Sequence, residues 1–307
     1  MSDLRVAIED YLALRRALGF KLAGHDRLLA DFADYLDQTK TPTITITAAL
    51  AWAIRPQAAQ PIRWRARLCV VRGFARHLRA LDPRVEVPPV DLLPHRHQRP
   101  VPYLFSPAEI AELLKAAGRL RSPLRAATCQ TLFGLLAATG MRVGEAIRLD
   151  DADVDYQAGM LSVRESKFGK SRQLPLHATT LDALGRYALY RDQQRLAATT
   201  SSFFVSTTGT RLVHTNLRGT FRTLVRAAGI GAAAPRYPRI HDLRHSFAVA
   251  TLLDWYRDGG DVAARTPLLS AYLGHTSPAS TYWYLQAAPE LLALAANRVE
   301  RSLGELA

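Results

Sequence analysis

Near its C-terminus the chain reads LGHTSPASTYWYL, from Leu273 to Leu285, with His275 nine residues before Tyr284. A phenol is a weak nucleophile at its usual pKa near 10, so chemistry through it needs a base and a cationic setting for the attacked group. Three other segments offer such groups. In LLAATGMRVGEAIRLD (135–150), Arg142 follows Gly140, which ends one helix, and Gly144-Glu145 opens the next. An arginine at such a junction can aim its fork at an anion. In RESKFGKSRQLPL (164–176), Lys167 and Lys170 bracket a hairpin turn, where a lysine either serves solubility or reaches a phosphate. In IHDLRHSFAVATLLDWY (240–256), His241 and Arg244 are three apart and share one face of a first helical turn, while Leu243, Phe247, Leu252 and Leu253 anchor the helix elsewhere.

Either tyrosine could serve. Gly274 ends a short helix and Ser277-Pro278 caps the next, on which Tyr282 and Tyr284 point about 160° apart. Tyr282 lines up with Ala279 and Leu285, a face suited to packing; Tyr284 lines up with Ser280 and Thr281, which leave room for a substrate. That favours Tyr284 without excluding Tyr282. No metal is expected. HDLRH imitates a zinc-protease helix, but Asp242 replaces the glutamate, an arginine would face the cation, and no further ligand is near. No Walker-type glycine loop occurs, so no cofactor is expected either.

The elements that must position these groups divide the chain in two. Its 307 residues favour two domains, and the patterning is mainly helical. Residues 1–90 read as one helical domain, including TPTITIT (41–47), where Thr47 is the expected cap of the next helix. In PIRWRARLCVVRGFARHLRAL, Trp64, Leu68, Val71, Ala75 and Leu78 make an apolar stripe. Arg65, Arg72, Arg76 and Arg79 form a second stripe beside it, flanked by Arg63 and Arg67. No acidic residue lies within the helix to pair with them, so the stripe points to phosphates. Five prolines in the 19 residues 87–105 stop helices, and residues 91–106 read as an extended linker. Ser106-Pro107-Ala108-Glu109 restarts a helix, and residues 107–307 form a second, mixed α+β domain. Its one β-patterned stretch, 154–177, reads as a small antiparallel sheet with a hairpin around Phe168-Gly169.

The formal net charge of +13 favours a polyanionic partner. No apolar run approaches the ~18 residues of a membrane span, and the charged start MSDLRVAIEDYLALRR lacks a signal-peptide core. Cys69 and Cys129 read as small buried hydrophobes in a reducing compartment. A cytoplasmic, nucleic-acid-facing protein is expected.

Taken in order, Arg142, Lys167, His241-x-x-Arg244, Leu273-Gly274-His275 and Tyr284 resemble the tyrosine recombinase (phage integrase) family, over nearly the whole chain. The resemblance implies a core-binding domain followed by a catalytic domain. It selects Tyr284 as nucleophile, Lys167 as the hairpin lysine, Lys170 as a DNA contact and Glu145 as a supporting carboxylate. Arg142 and Arg244 would clamp the scissile phosphate, His275 would add a hydrogen bond, His241 would accept the phenolic proton and Lys167 would protonate the leaving 5′ oxygen. The partner implied is double-stranded DNA, clamped between the two domains, with a homotetramer on synapsed sites and the C-terminal helix docked on a neighbour or on its own domain. A mobile-element integrase or transposase is the expected role. The stretch from Arg244 to His275 looks longer than is usual in the family, and no extra N-terminal arm-binding domain is expected. A type IB topoisomerase uses similar residues, but the separate helical domain and the LGH-to-Tyr spacing favour a recombinase. An inert DNA-binding descendant is disfavoured because all six active-site positions hold competent residues.

Overall fold

The computed structural model describes residues 2–93, 101–164, 171–194, 200–275, 277, 279–287 and 290–296. Lys167 and Lys170 lie outside the described residues. The chain divides into two compact units, Met1–Arg99 and Pro100–Ala307.

The first unit holds α1 (Ser2–Ala17), α2 (His25–Gln38), α3 (Ile46–Ile54) and α4 (Pro61–Leu78). Leu29, Phe32, Trp52, Leu68, Val71 and Phe74 are fully enclosed, each side chain contributing about 1.5–3 kcal/mol by leaving water. The cap of α3 is Thr45, whose hydroxyl accepts from Ala48 N at 3.1 Å, and not Thr47, which lies inside the helix.

The arginines of α4 separate by environment. Arg76 and Arg79 are exposed and Arg65 is half-buried, but Arg72 departs from the phosphate-binding expectation. It is buried, with Nε donating to Pro88 O at 2.7 Å and Nη2 to Pro89 O at 2.6 Å. A proline-rich extended strand has carbonyls with no helical or sheet partner, and Arg72 satisfies two of them. Arg67 also finds an acid, on α2 instead of its own helix. Its guanidinium lies 3.8 Å from the Trp52 ring centroid and donates to Asp31 Oδ2 at 3.0 Å. Cys69 is exposed, contrary to the sequence expectation, whereas Cys129 is buried.

The proline-rich stretch is partly absorbed into the units. Leu93 is buried in the first core, and Phe105 is buried in the second, its N–H donating to Ser246 Oγ at 2.7 Å.

In the second unit α5 (Pro107–Gly118) begins at the Ser106–Glu109 capping box. It packs on α6 (Pro123–Thr139), whose far end turns through Gly140 into α7 (Val143–Arg148). Strands β1 (Val154–Asp155), β2 (Met160–Val163) and β3 (Arg172–Pro175) make an antiparallel sheet in the order β1-β2-β3. Leu161 pairs with Leu174 and Val163 with Arg172, so Leu161, Val163 and Leu174 share the buried face. There follow α8 (Ala178–Gln193), α9 (His214–Ala227), α10 (Asp242–Arg257), α11 (Val262–Leu273) and α12 (Ala279–Ala287). The long stretch between Arg244 and His275 is taken up by α10, a turn through Gly259 at φ 74°, and α11, capped by Asp261. A separate small core of Ala248, Val249, Leu252, Val262, Leu269, Leu273 and Leu291 ties α10, α11 and the C-terminal segment together, and Tyr284 belongs to it.

Candidate active site

The last turn of α11 organises the site. A helix ends with carbonyls that lack partners and with a partial negative charge, and three arginines from three other elements meet those carbonyls in succession. Arg172 Nε, on β3, donates to Tyr272 O at 2.7 Å. Arg244 Nη2, on α10, donates to Leu273 O at 2.7 Å. Arg142 Nη2, at the start of α7, donates to Gly274 O at 3.0 Å. Arg244 Nη1 also reaches Gly140 O at 2.8 Å. Both glycines are required in the left-handed conformation that ends α6 and α11, φ 59° and 66°. A Cβ on Gly140 would lie 2.4 Å from the Phe247 ring, and one on Gly274 would lie 2.9 Å from Arg172 Nη1.

Three guanidiniums this close would repel one another without a counter-charge, and Glu145 supplies it. Its carboxylate accepts from Arg142 N at 2.9 Å, Arg142 Nη1 at 2.8 Å and Arg172 Nη2 at 2.8 Å. Burial alone would raise this carboxyl, but the hydrogen bonds from Arg172 and Arg142 hold it down at about 2. Arg244 is 2 % exposed. Burial, and then the charge of Arg142, lower it to about 10, which leaves it protonated near neutral pH.

Tyr284 comes to the cluster from α12. It is 2 % exposed, against 49 % for Tyr282, so the two rings do point apart. The faces are the reverse of the sequence expectation: Tyr282 faces solvent, and Tyr284 is packed inside. It nevertheless lies close enough to Arg244 to act on that guanidinium, partly offsetting the lowering of its pKa. His275 follows the Gly274 cap and its ring lies 6.1 Å from that of Tyr284, inclined by only 26°. Its Nδ1 is 2.7 Å from Thr281 Oγ1 on α12, which directs Nε2 the other way.

His241 stands at the N-terminus of α10 and is exposed. The crowding of its ring, then the charges of Arg244, Arg239 and Arg142, lower it to about 4 against the opposing pull of Asp242. It is therefore a neutral imidazole at physiological pH. His245, one turn on, joins it to the nucleophile side: the His245 ring is 4.8 Å from His241 and 5.5 Å from Tyr284.

Arg142, Glu145, Arg244, His275 and Tyr284 thus converge, with His241 reached through His245. Sequence reading missed Arg172, although it stands in the quoted RQLPL segment, because no spacing rule links a strand arginine to a helix end a hundred residues away. It also missed a basic row on α9. His214, Arg218, Arg222 and Arg226 recur every four residues and are all exposed, while Leu217, Thr220, Phe221, Leu224 and Val225 are buried. The four-residue spacing was the available signal. Among the described residues no group of three or more His, Cys, Asp or Glu side chains is placed to hold a metal ion, and no helix is long and apolar enough to cross a membrane.

The model of the phage integrase family matches residues 104–290. A Sinorhizobium fredii protein named as an integrase/recombinase, y4rB, is 47 % identical over 98 % of both chains. The tyrosine recombinase XerC of Alcanivorax borkumensis is 26 % identical over 88 % of this chain and 84 % of its own. Among solved structures, the Tn1549 transposon integrase in complex with transposon right end DNA superposes with a TM-score of 0.67 at 16 % identity, covering 96 % of this chain and 98 % of that one. The XerH site-specific recombinase bound to its difH substrate also gives 0.67, at 18 % identity, over 90 % and 79 %. With a family model spanning more than half its length and a relative matching it nearly end to end, the chain belongs to the phage integrase family of tyrosine recombinases.

Proposed function

We propose that this protein is a site-specific recombinase that cuts and rejoins double-stranded DNA through a 3′-phosphotyrosyl intermediate, as the integrase or transposase of a mobile element. One observation carries the reading: the buried Tyr284 phenol neighbours Arg244, whose guanidinium is pinned beside that of Arg142 on consecutive carbonyls. A phosphodiester in front of them would present its two non-bridging oxygens to two fixed cations.

The Tyr284 oxygen attacks phosphorus as neutral His241 takes the phenolic proton. The bond to the 5′ oxygen breaks, and Lys167 gives that oxygen a proton. His275, oriented by Thr281, donates to a non-bridging oxygen. A 5′-hydroxyl from another strand then attacks the tyrosyl ester and restores the phenol. Each step exchanges one phosphate ester for another, so no external energy source is called for. Arg65, Arg76 and Arg79 of α4, the basic row of α9, and Lys170 hold backbone phosphates. Residues 1–90 serve as the core-binding domain, 107–307 as the catalytic domain. The active assembly is a homotetramer on two synapsed sites in the cytoplasm.

The test is to incubate the protein with a pool of randomised, nicked duplexes and to sequence the DNA that stays attached after denaturation in SDS. The reading predicts one enriched sequence, bound through its 3′ phosphate and leaving a 5′-hydroxyl. A wild-type protein that yields no adduct on any duplex contradicts it. Mass photometry on the enriched duplex should then show a species of four chains and two DNAs.

A further inference from the structure

The proposed mechanism uses two arginines, but the structure holds three on the same helix end. We infer that Arg172 is a positioning residue for the phosphate clamp. It touches no substrate in the scheme above; it sets the geometry of Arg142 and of the corner from Tyr272 to His275. The inference rests on that scheme.

Three contacts support it. Arg172 Nη2 and Nη1 donate to the two oxygens of Glu145 at 2.8 and 3.3 Å, and Glu145 in turn receives Arg142 on the same two oxygens, through Nη1 and backbone N. Glu145 alone could rotate about its own side chain and carry Arg142 with it; gripped from the far side by a planar fork, it cannot. Arg172 Nε meanwhile holds Tyr272 O at 2.7 Å, two residues before the carbonyl that Arg142 holds. Finally, the guanidinium lies directly beneath Gly274, close enough that a Cβ there would approach three of its atoms within 3.3 Å. The residue is thus wedged between the carboxylate that aims Arg142 and the cap that aims His275. It does so from β3, the strand paired with β2. One side chain ties strand β3, the first arginine and the helix end into a single frame.

A lysine keeps the charge but loses the fork, so Arg172→Lys separates electrostatics from geometry. Arg172→Gln, whose amide nitrogen falls where Nε stands and so can keep Tyr272 O but not Glu145, is the second variant if the first folds poorly. The substrate is the duplex enriched by the wild-type protein, made twice: with its natural scissile phosphate, and with a methylphosphonate that lacks one charged non-bridging oxygen. Single-turnover cleavage is measured at saturating protein and normalised to the folded fraction. On the natural phosphate we expect DNA affinity within about twofold of wild type and cleavage slowed roughly a hundredfold, the range for a displaced transition-state donor. On the methylphosphonate, which asks less of Arg142, the defect should shrink to within about tenfold. Wild-type cleavage by both variants would overturn the inference, as would an equal defect on both substrates or one that disappears on normalising to folded protein. Failure of the wild-type protein itself to form an adduct would instead strike the recombinase reading.

Discussion

Arg142 and Arg244 hold adjacent carbonyls, Gly274 O at 3.0 Å and Leu273 O at 2.7 Å, so the spacing of the two guanidiniums is fixed by the single peptide unit that joins α11 to its glycine cap. Such a clamp is built before any phosphate arrives and needs no rearrangement at the moment of reaction. Replacing either arginine by lysine should therefore cost far more in rate than in binding. We expect adduct formation to fall by about 10²–10³-fold, with duplex affinity changed by only a few fold. An equal loss in affinity and rate would mean that these residues merely bind DNA.

Gly274 and Gly259 share a left-handed backbone, φ 66° and 74°, but a Cβ meets Arg172 at the first and nothing within 4 Å at the second. Gly274→Ala should lower both stability and cleavage, whereas Gly259→Ala should cost only the backbone strain, about 1–2 kcal/mol, and leave the cleavage rate of the folded protein unchanged. Thermal melting and single-turnover cleavage on the two variants check this; parallel behaviour would contradict it.

The arginines of α4 should behave as two classes. Removing Arg76 or Arg79 is expected to lower the salt dependence of DNA binding by about one unit of slope each without altering the melting temperature. Arg72→Met should leave the slope alone and destabilise the first unit, because the carbonyl of buried Pro88 loses its donor, at about 1–3 kcal/mol for a buried polar group left unpaired. Titrations at several salt concentrations, paired with melting curves, distinguish the two.

Acid should weaken the fold in two windows. The unfolded chain takes up a proton on His241 near 6.5 that the folded chain refuses until about 4, so stability falls as pH drops between those values. Glu145 does the same from 4.5 down to about 2, since its charged form is the one the arginines hold. His241→Gln should flatten the upper part of the stability–pH curve and Glu145→Gln the lower part. A bound phosphodiester, being anionic, should raise the His241 pKa, which NMR titration with and without the duplex reads directly.

The sequence revealed the parts that local chemistry dictates. Ser106-Pro107-Ala108-Glu109 contains its own helix start, and the glycines before Arg142 and His275 announce the two helix ends. What it hid was which groups meet at those ends. Arg172 and Arg72 look like ordinary surface arginines in one dimension, yet the first satisfies one carbonyl and the second two, all distant in sequence and served by no helix or sheet. Tyr284 shows the same limit. Helical phase separated it from Tyr282, but neighbouring residue types suggested an open setting, whereas α10 and α11 enclose it. Burial of that ring depends on two other helices, and no pattern within α12 encodes it.

The most direct test of the whole account is the chemical identity of the linkage. The SDS-stable adduct is digested with trypsin and nuclease, and the peptide carrying the residual nucleotide is sequenced by mass spectrometry. We expect the 3′-phosphate on the oxygen of Tyr284, and no adduct from Tyr284→Phe. A nucleotide found on Tyr282, or an undiminished adduct from Tyr284→Phe, would contradict the central claim that the buried phenol beside Arg244 is the nucleophile.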